Sequence, residues 1–523
     1  MSPTDIKPIP VWQRVKRPRF ERISGHGEFD VVVIGGGITG VTTAYLLKKA
    51  GKRVCLLERN RIGFVDTGLT TAHLTMVTDQ RLPELVSKFG EEAAALAWQA
   101  GAQAINIIEA NVNELEIDCQ FHRVPGYLHE SISGQRDESK YLEGDAEVAR
   151  KLGFEAEFME HVPYFNRPGV MFPSQAKFHP LKYLMAVAAA VEGGGCRVFE
   201  HAEVTEVQDD PQRVLVGEHE IKANRIVIAT HVPLTGKTGL VNATLFQSKI
   251  YPYSSYVIGA KLPKRLVPDA SFWDTTDPYY YLRVDPGSRN DYAIFGGKDH
   301  KTGQVDDTQQ CFDQLRETLM NILPQAKPDR QWSGQVIETN DGLPYIGETA
   351  PGQFAATGFG GNGMTFGTIA ATMARDYVLD RKNPWQELFS VDRKKLIAGG
   401  WDYVSENVDY PYYFVKDHLE RPAAISPESL LPGEGKVIGI GGERVACSRG
   451  DDGELNAVSA ICPHMGCVVH WNNGEKTWDC PCHGSRFQAS GEVIGGPAES
   501  PLEKVSLDTG KIIKEEEEHS HSS

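Results

Sequence analysis

The chain has 523 residues, a formal net charge of -16 and 41% hydrophobic residues, which suits a globular protein of two or three domains. The negative charge argues against nucleic acid and an anionic membrane surface as partners, and leaves room for a basic redox partner. No apolar run approaches the roughly 18 residues that span a bilayer, and residues 1–27 lack the apolar core of a secretory signal peptide. A cytoplasmic location is the default expectation.

The first informative stretch has the order of a dinucleotide-binding unit. Its parts are a buried strand, a glycine turn, a helix and a second strand, at 30–34, Gly35-x-Gly37-x-x-Gly40, 41–50 and 53–57. The glycines let the backbone approach a pyrophosphate at the helix N-terminus, and Glu58 after the second strand can accept hydrogen bonds from a ribose. The order predicts dinucleotide binding. The alternative is a glycine-rich turn in an unrelated α/β domain.

The middle of the chain alternates helical and strand patterns. Residues 82–115 have the Ala-rich apolar spacing of a helix. Two stretches, 193–200 and 225–231, are predicted to be later strands of the nucleotide-binding sheet. Residues 251–258 and 279–284 are rich in aromatic and β-branched side chains, as strands are.

A second glycine-rich turn, Gly358-Phe-Gly360-Gly361-Asn362-Gly363-Met364, precedes an Ala-rich helix. With this turn, residues 28–385 resemble the FAD-dependent amine and amino-acid oxidases of the glycine oxidase and D-amino-acid oxidase family. The resemblance implies a Rossmann-like FAD-binding domain with an α+β substrate domain, and favours FAD over NAD. A helix N-terminus near the flavin ring would stabilise the anionic reduced form. The alternative is an ordinary helix entry.

The resemblance also implies which residues contact FAD. They come from both turns, the end of the second strand, the loop after it and a later strand region: Gly35, Gly37, Ile38, Thr39, Gly40, Glu58, Arg59, Thr70, Thr71, His73, Val204, Gly360, Gly361, Asn362, Gly363 and Met364. Some relatives, such as dimethylglycine dehydrogenase, link FAD covalently to a histidine in the loop that holds His73. The register here is off by one, so a backbone or pyrophosphate contact is the expectation for this loop.

The substrate site is less clearly marked. In the resembling family, an arginine after a Trp-x-Gly strand holds the substrate carboxylate. Here Val336 stands at that position after Trp332-Ser-Gly334, which puts an amino-acid carboxylate in doubt. Candidates to line the site are Arg283, Tyr281, Tyr251, Tyr256 and His179. Arg283 suits bidentate recognition of a carboxylate, or else an ordinary structural ion pair.

Two short peptides near the C-terminus carry a metal-ligand pattern. They are Cys462-Pro-His464-Met-Gly-Cys467 and Cys480-Pro-Cys482-His483. Two thiolates and two imidazoles, from Cys462, Cys480, His464 and His483, are the ligand set of a Rieske [2Fe–2S] cluster, and the pattern C-x-H-x15-C-x-x-H resembles the Rieske family. The alternative is a zinc site, although the flanking Pro and Gly suit two tight loops more than a zinc finger with its histidines on a helix.

The same resemblance implies a disulfide between Cys467 and Cys482, as in the Rieske proteins of respiratory cytochrome bc complexes. Such a bond is unusual in a reducing compartment unless it is buried under the cluster. The expected fold class is thus α/β with a small all-β Rieske domain. The expected domains are an oxidoreductase at 28–385, with FAD-binding parts 28–85, 165–240 and 335–385 and substrate parts 86–164 and 241–334, a connector at 386–424 and a Rieske domain at 425–515.

The two resemblances imply an FAD-dependent dehydrogenase that oxidises a C–N bond of an amine or amino-acid-like small molecule. Electrons would pass to the cluster and on to a one-electron redox partner or quinone-like acceptor. A cluster is superfluous if dioxygen reoxidises the flavin, which favours a dehydrogenase over an oxidase. Two alternatives stay open: a cluster-fed reductase or demethylase, and a non-catalytic redox carrier or sensor.

Overall fold

The computed structural model describes residues 6–134, 137–209, 211–233, 249–393, 409–508 and 511–513. Parts of the predicted flavin domain (234–240), substrate domain (241–248) and connector (394–408) therefore lie outside the described residues. The chain divides into two compact units. The first comprises Met1–Ile250, Ser255–Asp299 and Leu315–Gly399, and the second comprises Tyr251–Ser254, His300–Gln314 and Gly400–Ser523.

Helices and strands alternate along the described residues. The helices are α1 Ile38–Lys49, α2 Asp66–Leu69, α3 Leu82–Phe89, α4 Glu91–Glu114, α5 Ser139–Lys151, α6 Pro180–Val191, α7 Thr308–Ile322, α8 Gly363–Val378 and α9 Asp409–Leu419. The strands are β1 Gly27–Ile34, β2 Val54–Leu57, β3 His73–Leu74, β4 His122–His129, β5 Glu157–Met159, β6 Gly169–Lys177, β7 Arg197–Phe199, β8 Glu206–Asp209, β9 Gln212–Val216, β10 His219–Ile228, β11 Ile250–Leu262, β12 Ser271–Asp274, β13 Tyr281–Asp285, β14 Asp291–Lys301, β15 Lys327–Thr339, β16 Tyr345–Ala350, β17 Gln353–Thr357, β18 Gly435–Ile440, β19 Glu443–Arg449, β20 Leu455–Ser459, β21 His470–Asn472, β22 Thr477–Asp479, β23 Arg486–Gln488 and β24 Val493–Gly495.

The first unit contains the sheet that the dinucleotide pattern predicted. Its strand order is β16-β17-β10-β1-β2-β7, and β1 pairs in parallel with both β10 and β2. The last four residues of β1 and all four of β2 are buried, as expected for a parallel strand covered on both faces. Ile34 of β1 pairs with Leu57 of β2, so the glycine turn and Glu58 follow strand ends at one edge of the sheet.

A second sheet has the order β15-β11-β14-β13-β12-β4-β6-β3, with β5 beside β6. The predicted strands 251–258 and 279–284 correspond to β11 and β13. The predicted helix 82–115 is two helices, α3 and α4, because Gly90 between them has a φ of +87° and breaks the helical path. With the first sheet, this arrangement confirms the α/β prediction.

The second unit contains two small antiparallel sheets, β18-β19-β20 and β21-β22-β23-β24. Trp478, Phe487 and Val469 are fully buried in the core around the cluster-ligand loops. These sheets confirm the small all-β domain. Among the residues that the structure describes, no helix is both long and apolar enough to cross a membrane.

Candidate functional site

The first glycine turn has the close contacts of a phosphate-binding turn. Gly35 has a φ of +110°, and a Cβ there would lie 2.3 Å from the Ala229 carbonyl oxygen. A Cβ on Gly40 would lie 1.9 Å from the Gly35 carbonyl oxygen. Only glycine fits both positions, so the backbone stays open at the start of α1, where a pyrophosphate would bind.

Side chains from neighbouring segments hold this turn in place. The Gly36 N–H donates to Glu58 Oε2 over 2.7 Å, and the Asn60 N–H donates to Glu58 Oε1 over 2.7 Å. Burial raises the pKa of Glu58, although both N–H groups act against that shift. The Thr67 hydroxyl oxygen accepts the Ile38 N–H over 3.1 Å. Glu58 thus supports the turn directly, and its bond to a ribose stays a prediction.

The second glycine turn leads into α8, which packs on α1. A Cβ on Gly367 would lie 2.7 Å from Thr39 Oγ1, so the two helices touch at these residues. Asn362 Nδ2 donates to the Val77 carbonyl over 2.9 Å, and Met364 is buried. The structure therefore brings the two predicted FAD turns together through α1 and α8.

The loop between the two turns carries the other FAD candidates. The Thr70 hydroxyl oxygen accepts the Ala72 N–H, and Thr71 Oγ1 lies 3.1 Å from His73 Nδ1. Burial is the main reason that the pKa of His73 falls to about 3. Arg59 is half-buried next to Glu58, and Val204 is buried in the core on one face of the first sheet. The contacts of these residues with FAD stay predictions.

A group of polar side chains lies beside the second glycine turn. We name it the acidic cluster, and it consists of Asp79, Asp299, Tyr279, Tyr281 and Ser255. The Tyr279 hydroxyl donates to Asp79 Oδ1 over 2.9 Å, and the Gly361 N–H donates to Asp79 Oδ2 over 2.7 Å. Ser255 Oγ and Tyr281 Oη are 3.0 Å apart, and the rings of Tyr279 and Tyr281 are 5.9 Å apart. The cluster therefore touches a predicted FAD contact.

Burial gives the acidic cluster unusual proton affinities. It raises the pKa of Asp299 to about 7; the Ser255 hydroxyl acts against this shift and the charge of Asp79 adds to it. Burial also raises the pKa of Asp79, whose side chain nevertheless keeps accessible surface. An accessible acid with a raised pKa is a candidate for contact with a substrate.

Arg283 is buried and its guanidinium is bound on several sides. Its Nη atoms donate to the carbonyls of Thr71, Ala72 and Phe178 over 3.1, 2.7 and 2.9 Å, and its Nε donates to Asp285 over 2.8 Å. Burial raises the pKa of Asp285, but the charges of Arg283 and Lys177 outweigh it and hold that pKa below its usual value. Arg283 thus ties the predicted FAD loop to the second sheet.

The other substrate-lining candidates lie in different places. Tyr281 belongs to the acidic cluster, with its ring edge-on to His73 at 5.7 Å. Tyr256 is fully buried, and Tyr251 belongs to the second unit. His179 Nδ1 accepts the Lys182 N–H at the start of α6, and burial lowers the pKa of His179 to about 4.

In the second unit, two loops of the same shape carry the predicted cluster ligands. The Cys462 N–H donates to the Cys467 carbonyl over 2.8 Å, and the Gly466 N–H donates back to the Cys462 carbonyl over 3.0 Å. The second loop repeats this pattern. The Cys480 N–H donates to the Ser485 carbonyl, and the Gly484 N–H donates to the Cys480 carbonyl. The two loops therefore present one cysteine and one histidine each.

The protonation states of the two predicted histidine ligands favour metal binding. The rings of His464 and His483 are 4.9 Å apart, and burial lowers the pKa of each to about 4, so both imidazoles are neutral at pH 7. His483 Nδ1 is buried and has no hydrogen-bond partner among the described residues. The hydrogen bond between the two cysteine ligands lowers the pKa of Cys462 and raises the pKa of Cys480. This donor set fits a Rieske cluster.

Cys467 and Cys482 form the disulfide that the resemblance implied. The sulfurs of Cys467, Cys480 and Cys482 all lie within 4.8 Å of one another. Because two of them share the disulfide, these three sulfurs are not a three-thiolate metal site. Cys467 is buried and Cys482 is half-buried, and the bond joins the two ligand loops.

Residues 300–314 pack against the cluster loops within the second unit. The Gln304 side chain donates to the Pro481 carbonyl over 3.0 Å, and a Cβ on Gly303 would lie 2.8 Å from the Cys480 carbonyl carbon. Thr308 Oγ1 bonds to Asn472 and Asn473 over 2.6 and 2.8 Å. This segment lies in the predicted substrate part 241–334, so oxidoreductase sequence contacts the loop of Cys480.

An aromatic side chain also covers one ligand. The ring of Tyr410, near the start of α9, lies 5.0 Å from that of His483, and Phe414 on the next turn packs on the same core. His470, outside the ligand pattern, has Nε2 2.9 Å from Asp417 on α9 and Nδ1 2.9 Å from the Gly303 carbonyl. Both α9 and the 300–314 segment are thus fixed to the cluster domain.

The fold and these two sites define a flavoprotein oxidoreductase with an iron–sulfur domain. Residues 30–377 match the family of FAD dependent oxidoreductases, and residues 421–506 match the Rieske [2Fe-2S] domain. The chain belongs to the FAD dependent oxidoreductase family and carries a C-terminal Rieske domain. Its cofactors are FAD and a [2Fe–2S] cluster, in agreement with the open glycine turns and the Cys/His donor set.

Similar proteins support both halves. The Bacillus subtilis protein YhfW, named as a Rieske 2Fe-2S iron-sulfur protein, is 34% identical over 94% of this chain and 96% of its own length. The Escherichia coli gamma-glutamylputrescine oxidoreductase is 24% identical over 68% of this chain and 84% of its own length. The structure of glycine oxidase from Geobacillus kaustophilus has a TM-score of 0.58 and 18% identity, and covers 70% of this chain and 99% of that one.

Sequence reasoning missed several residues at these sites. Asp79, Asp299 and Ser255 belong to no recognisable motif, and they come together only when β11, β13 and β14 pair. Gln304 and Thr308 showed no signal for contact with the Rieske loops. The hydroxyl of Thr67 could have been suspected, since it follows Glu58 closely in a loop expected to approach the glycine turn.

Proposed function

We propose that this protein is a dehydrogenase that oxidises a C–N bond of an amine or amino-acid-like small molecule. Its electrons pass from the flavin site to the Rieske domain and on to an external one-electron or quinone-like acceptor. When bound, FAD would serve as the acceptor of a hydride, which carries two electrons, and the cluster would serve as a carrier of single electrons. The described residues provide the sites for both.

The observation that carries this proposal is the contact of residues 300–314 with the loop of Cys480. Gln304 donates to the Pro481 carbonyl, between two cysteines of that loop, and Gly303 approaches the Cys480–Pro481 peptide too closely for any larger residue. A Rieske domain with an unrelated task would have no reason to pack oxidoreductase sequence against its ligand loop. The contact therefore supports a cluster that serves the oxidoreductase.

The substrate class is supported by the relatives and by the position of the acidic cluster. The E. coli relative is named for an amine, gamma-glutamylputrescine. Asp79 and Tyr279 lie directly on Gly361 of the second glycine turn. A small molecule bound there would lie next to a predicted flavin contact.

The test is an anaerobic panel of amines, amino acids and N-methylated compounds, with the flavin and cluster absorbances followed separately. A substrate should bleach the flavin first, and the cluster spectrum should then change. Turnover with ferricyanide or a quinone should follow. Bleaching by no compound, or full turnover in a His483→Ala protein that lacks the cluster, would contradict the proposal.

His161→Ala is a matched control, because His161 is an exposed histidine in the first unit. This control protein should keep both the flavin bleaching and the turnover of the wild type. The His483→Ala protein should keep the bleaching, since the flavin site is intact, and lose turnover with one-electron acceptors. Cluster reduction by an added donor, without bleaching by any substrate, would instead favour a reductase or a carrier.

A further inference from the structure

The acidic cluster has two carboxyl groups and no cation to balance them. Neither Asp79 nor Asp299 forms an ion pair with any residue that the structure describes, and no cation contributes to the pKa shift of either. Asp299 Oδ1 is buried and has no hydrogen-bond partner within the same described part of the chain. A buried acceptor atom without a partner costs free energy, so the Asp299 carboxyl group is not fully satisfied by the surrounding protein.

The surroundings of Asp299 fit a protonated amine. The Tyr279 hydroxyl bonds to Asp79, and the rings of Tyr279 and Tyr281 lie 5.9 Å apart within the cluster. Aromatic rings attract cations. The hydroxyls of Ser255 and Tyr281 lie 3.0 Å apart and add further polar atoms. An ammonium group carries up to three N–H donors and no acceptor, which suits a site made of carboxylates and ring faces.

We propose that the acidic cluster binds the ammonium group of a cationic amine, with Asp79 and Asp299 supplying the negative charge, so that the enzyme selects amines over amino acids. This inference rests on the proposed function, since it specifies the substrate class of the same site. A carboxylate on the substrate would lie near Asp79 and Asp299 and would be repelled by both.

The alternative for an amino-acid substrate is a carboxylate held by Arg283. That guanidinium already donates to three carbonyls and to Asp285. To reach a substrate, it would have to leave these buried acceptors unpaired, which is costly. The hydrogen bonds of Arg283 thus favour an amine that needs no carboxylate partner.

Binding can be tested without turnover. The amine 2-phenylpropan-2-amine and the amino acid 2-amino-2-phenylpropanoate both lack hydrogen on the carbon that carries nitrogen, so neither can lose hydride there. Each is titrated into the FAD-loaded full-length protein, and binding is followed by calorimetry and by the shift of the oxidised flavin spectrum. The smaller pair tert-butylamine and 2-aminoisobutyrate covers a narrower site.

The wild type should bind the amine of at least one pair at least roughly tenfold more tightly than its amino acid, a difference of about 1.4 kcal/mol. Asp299→Asn keeps the shape of the side chain and removes its charge, and it should erase that preference. Asp79→Asn should reduce the preference as well. Asp118→Asn, which changes an exposed carboxylate in the same unit, should leave the preference unchanged.

The outcomes separate this inference from the proposed function. Tighter binding of the amino acids, equal binding within both pairs, no binding of either amine, or a preference that survives in Asp299→Asn would overturn the inference. Those results leave the panel of oxidisable substrates free to succeed. Conversely, amine binding that depends on Asp299, with no flavin bleaching by any oxidisable compound, would support the amine site and contradict the dehydrogenase.

Discussion

Replacing Arg283 by Met should destabilise the first unit. The guanidinium donates to three carbonyls, of which those of Ala72 and Phe178 are buried, and it also neutralises Asp285. Charged hydrogen bonds contribute about 1.5–3 kcal/mol each, but the bonds share one side chain and are not additive. Loss of one partner of a buried ion pair costs about 3–5 kcal/mol, which is the better scale for the change in unfolding free energy.

Thermal unfolding followed by the fluorescence of released FAD measures this effect. At about 2–4 °C per kcal/mol, the transition should fall by roughly 6 °C or more. Because Thr71 and Ala72 lie in the predicted FAD loop, the variant should also release FAD more readily. Arg289→Met is the matched control, since Arg289 is exposed in the turn that follows β13, and its transition should stay at the wild-type temperature.

An Arg283→Met protein that melts at the wild-type temperature and keeps its FAD would contradict this structural role. The contradiction is clearest if that stable variant instead shows a raised KM for amino acids. Such a result would return Arg283 to the substrate site. It would also contradict the argument that its guanidinium is fully engaged by the protein.

Three further predictions concern other sites. Gly303→Ala should make the cluster more labile, because the new Cβ meets the Cys480–Pro481 peptide; Gly453→Ala has a similar positive φ with nothing within 4 Å, and should leave cluster retention unchanged. Cys467→Ser should leave some cluster of raised lability, whereas Cys462→Ser should abolish the Rieske spectrum; equal loss in both proteins would contradict the separate roles of disulfide and ligand. Burial raises the pKa of Asp299 from 3.8 to about 7, so the folded protein holds this proton more tightly than the unfolded chain does. The contribution of Asp299 to the melting temperature should therefore fall as the pH rises from about 4 to 7, and Asp299→Asn should remove that contribution.

The parts of the protein that could be predicted from the sequence depend on short-range patterns. The Rieske ligands lie in two peptides whose internal spacing already places a thiolate and an imidazole on one loop. The first glycine turn is similar, since Gly35 and Gly40 are required by contacts within a few residues or with the adjacent strand. The antiparallel pairing of β22 with β23 then brings Cys480 and His483 to one end of a hairpin.

The parts that could not be predicted depend on contacts between distant segments. Asp79 meets Tyr279 across 200 positions of the chain, and no local pattern marks either residue. The hydrogen bonds of Arg283 are similar, because the acceptors lie in loops that come near Arg283 only when the second sheet has folded. Gly90 is a different case, because the break in the helix is local. The Ala-rich spacing on both sides of Gly90 predicted one continuous helix, and the effect of the glycine was not given enough weight.

The packing of residues 300–314 against the cluster loops has a consequence for synthesis of the chain. Phe312 is 1% exposed, and a Cβ on Gly474 would lie 3.1 Å from its ring. Thr308 likewise cannot form its hydrogen bonds until Asn472 and Asn473 are made, and these leave the ribosome more than a hundred residues later. The growing chain therefore holds an apolar side chain uncovered until its last part emerges. Iron–sulfur assembly factors would meet a flavin-binding region that has already had time to fold, and a chain cut short before the Rieske domain would display Phe312 to chaperones and proteases.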